Sequence, residues 1–240
     1  MLKTKAIVLH HIKYSDNSYI VNMYTQQIGR QAFMVKGVGA KKSKIKANIL
    51  QPLTLLEIEF EHKSNKNFQY LKNISILNPA STIIFDISKL SIAFFWAEII
   101  NKSILEEEKN TNLFDYVFSS IKMLDIKTQG LANYNIYFII HLTKYLGFFP
   151  NNNYNDISKY FDIKTGDYKQ IRPMHTFTID KKESILLSNF LQYSDNQCEN
   201  LKISKEYKNN LLKTIIDYYS IHVVNFKNIK SLEVLQEVFQ

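Results

Sequence analysis

The 240-residue chain has a single cysteine, Cys198, and only six glycines and four prolines. One thiol can form neither an internal disulfide nor a four-cysteine zinc site, and it suits a reducing compartment. So little glycine and proline excludes collagen-like, linker-rich and low-complexity architectures. Long apolar runs are also missing. The longest, Leu90 to Ile100, is interrupted by Glu98, and a membrane span needs about 20 apolar residues. The opening residues, MLKTKAIVLH, lack the apolar core and small-residue cleavage site of a signal peptide. The expectation is a cytoplasmic protein without a membrane partner. Hydrophobic residues at 45% and charged residues at 22% are ordinary for folded chains, and the length suits two small domains.

The most informative absence is of acid. No Asp or Glu occurs between Asn17 and Leu56, where Arg30, Lys36, Lys41, Lys42, Lys44 and Lys46 fall. Residues 1–80 carry 12 Lys+Arg against 4 Asp+Glu, and residues 81–240 carry 18 of each. The net charge of +8 therefore belongs to the first third. A lysine-rich composition, 28 Lys to 2 Arg, would scatter cations evenly and does not explain this asymmetry. The bland alternative is a solvated basic loop. A polyanion-binding surface is the stronger reading, because clustered cations release counterions from phosphates.

The first 80 residues read as five short strands. Ala6–Ile12 is followed by a turn-like Tyr14–Ser18, then by Tyr19–Thr25, a turn at Gln26–Gly29, and Arg30–Lys36. A glycine-punctuated basic loop, Gly37–Lys44, comes next. Leu53–His62 alternates Leu56, Ile58 and Phe60 with Glu57, Glu59 and Glu61, the period of a half-buried strand. Phe68–Leu77 is the fifth. Five strands with tight turns predict a small barrel of the OB type, in which Tyr24 and Phe33 are candidates for stacking on bases, with core packing the stronger reading for each. After Asn78-Pro79 the period lengthens. Leu90, Ala93, Phe94, Ala97, Ile100 and Ile104 make one helical stripe; Leu113, Val117, Ile121 and Leu124 make a second. A third, Leu131–Leu146, stops at Gly147 and Pro150. Residues 151–178 form a polar, aromatic insertion, and helices resume over 181–192, 205–224 and 231–239. The fold class is β then α, with domains 1–79 and 80–240.

Catalytic constellations are lacking. Gly37-Val38-Gly39-Ala40-Lys41-Lys42 misses the spacing of a phosphate loop. The six histidines form no His-Glu-x-x-His frame, and His141 reads as a packing residue. Glu106–Glu108 reads as a solvated helix end, and Cys198 lies in a polar, loop-like stretch without an activating partner. A non-enzyme with no cofactor is expected.

Ordered pieces of the chain resemble the bacterial RecO family of recombination mediators. They include Ala6–Leu9, Tyr14–Val21, Lys36-Gly37-Val38, Leu50–Leu53, Leu142–Pro150, Tyr218–His222 and Lys230–Leu235. The resemblance implies an N-terminal OB domain that binds single- and double-stranded DNA, a helical C-terminal domain, and strand annealing. It also implies loading of recombinase onto strands coated by single-stranded-DNA-binding protein (SSB), with RecR as partner and RecF and RecA as further candidates, in the nucleoid. Arg30, Lys36, Lys41, Lys42, Lys44 and Lys46 are the expected DNA contacts. The resemblance further implies a grip on the acidic tail of SSB, for which Lys102, Lys122, Lys127 and Lys144, near apolar helix stripes, are candidates. Many relatives carry a four-cysteine zinc module after the Gly-Phe-x-Pro turn. Here residues 151–177 hold no cysteine, His175 is the one soft ligand, and packing of Tyr154, Tyr160, Phe161, Tyr168 and Phe177 is expected to replace the metal. The competing readings are a generic OB-fold RNA- or tRNA-binding module and a helical interaction scaffold.

Overall fold

The computed structural model describes residues 1–40, 45–63, 66–105 and 108–239. Five strands, β1 (Leu2–Ser15), β2 (Ser18–Thr25), β3 (Gly29–Lys36), β4 (Leu55–Phe60) and β5 (Gln69–Ile76), close a barrel in the order β1-β2-β3-β5-β4. Every pairing is antiparallel except β3 with β5, which closes the barrel at Phe33–Gln69 and Met34–Tyr70. This is the OB-type barrel that the strand pattern predicts. The alternation of β4 is realised in full: Leu56, Ile58 and Phe60 are buried, and Glu57 and Glu59 are half-buried. Inside they meet Ala6, Val8, Val21, Met23, Phe33 and Val35, with the Phe33 and Phe60 rings edge to face at 5.0 Å. Val38, Ile49 and Leu50 join this core.

Seven α-helices follow among the described residues: α1 (Ile87–Ser103), α2 (Thr111–Ile126), α3 (Leu131–Tyr145), α4 (Lys181–Gln192), α5 (Asp195–Glu199), α6 (Lys205–His222) and α7 (Ser231–Val238). Strand thus gives way to helix near residue 79, yet compactness divides the chain into Met1–Asp125 and Ile126–Gln240. The two lines differ because α1 packs on β1, and Phe114 of α2 meets the Tyr24 ring of β2 at 5.7 Å. Helix α1 is buried on most of its sides, through Ile92, Phe95, Trp96 and Ile99 as well as Ala93, Ala97 and Ile100. The stripe read from the sequence therefore misplaces Phe94, which is exposed.

A buried polar junction ties the barrel exit to these helices. The Asp125 carboxylate accepts from Asn78 Nδ2 (2.6 Å), Ser81 Oγ (3.2 Å) and the Thr82 backbone N–H (2.6 Å). Buried Lys89 donates to the Asp125 carbonyl at 2.6 Å and to Thr82 Oγ1 at 3.1 Å.

In the second unit, α3, α4 and α6 enclose Phe138, Ile139, Leu187, Phe190, Leu211 and Ile215. Tyr219 donates to the Ile139 carbonyl at 2.7 Å. The insertion contains a hairpin, β6 (Tyr160–Asp162) and β7 (Asp167–Lys169), to which Thr178 adds a bridge at Asp162. Cys198, expected in a loop, is fully buried in α5. Five residues are too few to display a helical period, but Ser194 and Gln197 form the capping box that starts this helix.

Candidate nucleic-acid interface

The acid-free window covers β2, β3 and the segment after it. Gly37 and Gly39 turn the chain with φ of +78° and +73°, the left-handed region open to glycine. Val38 N–H bonds the Asn17 carbonyl at 3.0 Å, and Gly39 N–H bonds the Ile45 carbonyl at 2.9 Å. The second bond closes the base of the basic segment. Lys41, Lys42 and Lys44 lie outside the described residues.

Of the other expected contacts, Lys36 and Lys46 are exposed. Arg30 is half-buried, and its Nη1 donates to the Ile104 carbonyl at the end of α1 (3.3 Å), which gives it an anchoring role. Tyr24 and Phe33 are both buried, and the Tyr24 hydroxyl donates to the Asn110 carbonyl at 3.3 Å. Both rings are core, and neither is a stacking surface.

The exposed ring beside the basic strand is Tyr70, 48% exposed. It stands opposite Met34 across the parallel seam. Lys36 Nζ lies 5.2 Å from its centroid, and Phe68 meets it edge to face at 5.7 Å. The signal was legible: Tyr70 and Lys72 flank Leu71, which packs inward, so they fall on the outer parity of β5. At the β1–β2 hairpin, Lys13 and Tyr14 are also exposed. Of the four acids in residues 1–80, Asp16 sits in the β1–β2 turn, and the other three have partners: Glu57 and Glu59 of β4 with Lys3 at 2.8 Å and Asn73 at 2.7 Å, and Glu61 just beyond it with Lys63 at 3.9 Å. The β3–β5 side therefore pairs cations with an open aromatic face, the combination that binds single strands.

The four lysines suggested for a protein partner have different surroundings. Lys102 pairs with Glu98 at 2.8 Å on α1. Lys122 is exposed on α2, beside a cleft lined by Pro52, Leu53, Ile83, Ile84 and Ile121. Lys127 is buried, paired with Glu199 and 5.0 Å over the Tyr134 ring. Lys144 is exposed at the end of α3.

The residues of the insertion do not fit zinc. Its stretch supplies no thiol, His175 Nε2 faces Asp162 at 3.5 Å, and no group of three potential metal ligands occurs among the described residues. Phe161 and Tyr168 pack at 5.0 Å, with Tyr154 5.4 Å from Tyr168. Two rings expected in that packing lie at the surface instead: half-buried Tyr160 below Lys181 (5.5 Å) and exposed Phe177 below Lys164 (5.3 Å). Burial pushes the Cys198 thiol up to about 12, so it is no nucleophile near neutral pH.

A family model described as Recombination protein O N terminal matches residues 1–80, and one described as Recombination protein O C terminal matches residues 84–233. The chain belongs to the RecO family. A DNA repair protein RecO of Flavobacterium psychrophilum is 37% identical over 240 residues, covering 99% of each chain. That of Bacteroides fragilis is 34% identical over 238 residues, 99% of this chain and 98% of its own. A third, from Azobacteroides pseudotrichonymphae, is 31% identical over 239 residues, 100% of this chain and 99% of its own. RecO membership places the chain among proteins of DNA repair and recombination. The model boundary at residues 80 and 84 coincides with the passage from strand to helix.

Proposed function

We propose that the chain is a non-catalytic recombination mediator. It binds single- and double-stranded DNA through residues 1–79, anneals complementary strands, and helps load recombinase onto SSB-coated DNA together with RecR, in the cytoplasm at the nucleoid. RecF and RecA are further partners of this reading. The observation that carries it is the Lys36–Tyr70 pair at the β3–β5 seam of an OB barrel, where Lys36 belongs to the acid-free window 17–56. A base stacks on the exposed ring while Lys36 and Lys46, with Lys41, Lys42 and Lys44, track phosphates. Stacking accepts every base, which suits a protein that must act at any sequence. The exposed Lys122 beside its apolar cleft is the best-supported contact for the acidic, apolar-ended SSB tail, with Lys144 as a second candidate.

The decisive experiment is annealing of SSB-coated complementary strands by the full chain, beside salt-dependent binding of single-stranded DNA and RNA. Tyr70→Ala should weaken single-strand binding by about 1–3 kcal/mol. Lys36→Gln should reduce the slope of log K against log salt by roughly 0.7. Preference for RNA with no annealing would favour the generic RNA-binding module, and unchanged binding by both variants would remove the barrel seam from the site.

A further inference from the structure

Residues 170–177 leave β7 and return to pair with β6. The base of this loop is closed: Ile163 N–H bonds the Phe177 carbonyl at 3.0 Å, and Ile179 N–H bonds the Phe161 carbonyl at 3.2 Å. Pro173 fixes one φ within it. This anchored loop nevertheless turns its apolar side chains outward. Met174 is fully exposed, Ile171 is 83% exposed, and Phe177 is 40% exposed. Three apolar tips on a braced loop are costly to leave in water without a use.

The surrounding charge indicates the occupant. Each carboxylate of the hairpin region is already engaged: Asp156 with Lys159 (3.8 Å), Asp162 with His175 (3.5 Å), Asp167 with Lys169 (2.9 Å), and Asp180 as the N-cap of α4. Lys164, Arg172 and Lys181 have no carboxylate partner among the described residues. Arg172 sits between Ile171 and Met174 in the chain, and Lys164 covers the Phe177 ring. Apolar tips set among unpaired cations match a polyanion with flat apolar surfaces inside it, which is base-stacked nucleic acid. Proteins that insert Ile, Met or Pro between base steps combine them with Arg and Lys in this way.

We infer that the loop Ile171-Arg172-Pro173-Met174 is a second nucleic-acid contact, a wedge whose apolar tips enter the stack where duplex meets single strand. Unstacking costs least where pairing is already incomplete, so a junction is favoured over duplex interior. An annealing protein must handle two strands and the growing duplex between them, and the barrel accounts for one of these. The inference rests on the nucleic-acid reading of the chain but uses none of the barrel residues.

The test uses the full-length protein and DNA carrying 2-aminopurine at a duplex–single-strand junction. The wild type should raise the fluorescence of the probe by unstacking it. Ile171→Ser with Met174→Ser should abolish the rise while plain single strands still bind and the melting temperature holds, since both side chains are in solvent. Arg172→Gln should lower the salt slope for duplex by about 0.9. A wild type that binds DNA without a fluorescence change, or a double variant that retains the change, overturns the wedge alone. Absence of all DNA binding by the wild type overturns the mediator reading first and the wedge with it.

Discussion

His141 carries a pH dependence that its position makes readable. Its ring stacks on Tyr137 at 4.0 Å and lies 5.5 Å from Phe149, and Nε2–H donates to the Phe190 carbonyl at 2.9 Å. Burial pulls the imidazole below its ordinary value, the Phe190 carbonyl opposes this, and Lys144 adds to the depression. Below about pH 6.5 the unfolded chain binds a proton that the folded chain refuses. This contribution to stability is complete above that pH and declines as pH falls toward the folded-state value. His10, although exposed, is lowered by partial desolvation and by neighbouring His11, against Glu98, and acts with the same sign. Replacing His141 by Gln, which keeps a donor for Phe190, should flatten the fall in urea midpoint between about pH 7 and 5. The packing role of His141 was legible from its place near an apolar stripe. Core packing was also the stronger reading for Tyr24, but its partner was not legible: its parity on β2 points out of the barrel, and the ring that meets it, Phe114, comes some 90 residues later in the chain.

Between elements, the Asp125 junction joins the barrel exit to α1 and α2. Four donors from residues 78–82, the Thr82 hydroxyl among them, converge on a single carboxylate that is almost wholly buried. Asp125→Ala leaves them without an acceptor and should cost about 3 kcal/mol, read by urea denaturation; Asp125→Asn should recover part of the loss. A cost below about 1 kcal/mol would mean that water replaces the carboxylate freely. Such a junction is invisible to pattern reading, because Asn78, Ser81 and Asp125 match no motif and meet only through the fold. The strands were legible because Leu56, Ile58 and Phe60 alternate with glutamates. Gly29 shows a further limit: its φ of +68° fits the expected turn, but a Cβ there would come within 2.3 Å of the Glu108 carbonyl oxygen, a constraint set by distant backbone.

At the scale of the molecule, the insertion after Pro150 is held by packing of Phe161, Tyr168 and Tyr154. Purified protein should hold less than one zinc per chain, and a chelator should leave its melting temperature unchanged, because a structural site needs about four N or S ligands. Stoichiometric zinc in elemental analysis would contradict this. The order of the barrel strands has a consequence during synthesis. Leu2 pairs with Phe60, and Phe33 pairs with Gln69, so the newborn chain first holds an open β1–β2–β3 meander with two unpaired rims. Open rims invite sticking between nascent chains, and charged side chains along them are the usual guard. Lys3 and Lys5 stand on one rim, Arg30 and Lys36 on the other. Before Lys3 meets Glu57 and Arg30 meets the Ile104 carbonyl, these cations thus keep the unfinished sheet from meeting another copy of itself.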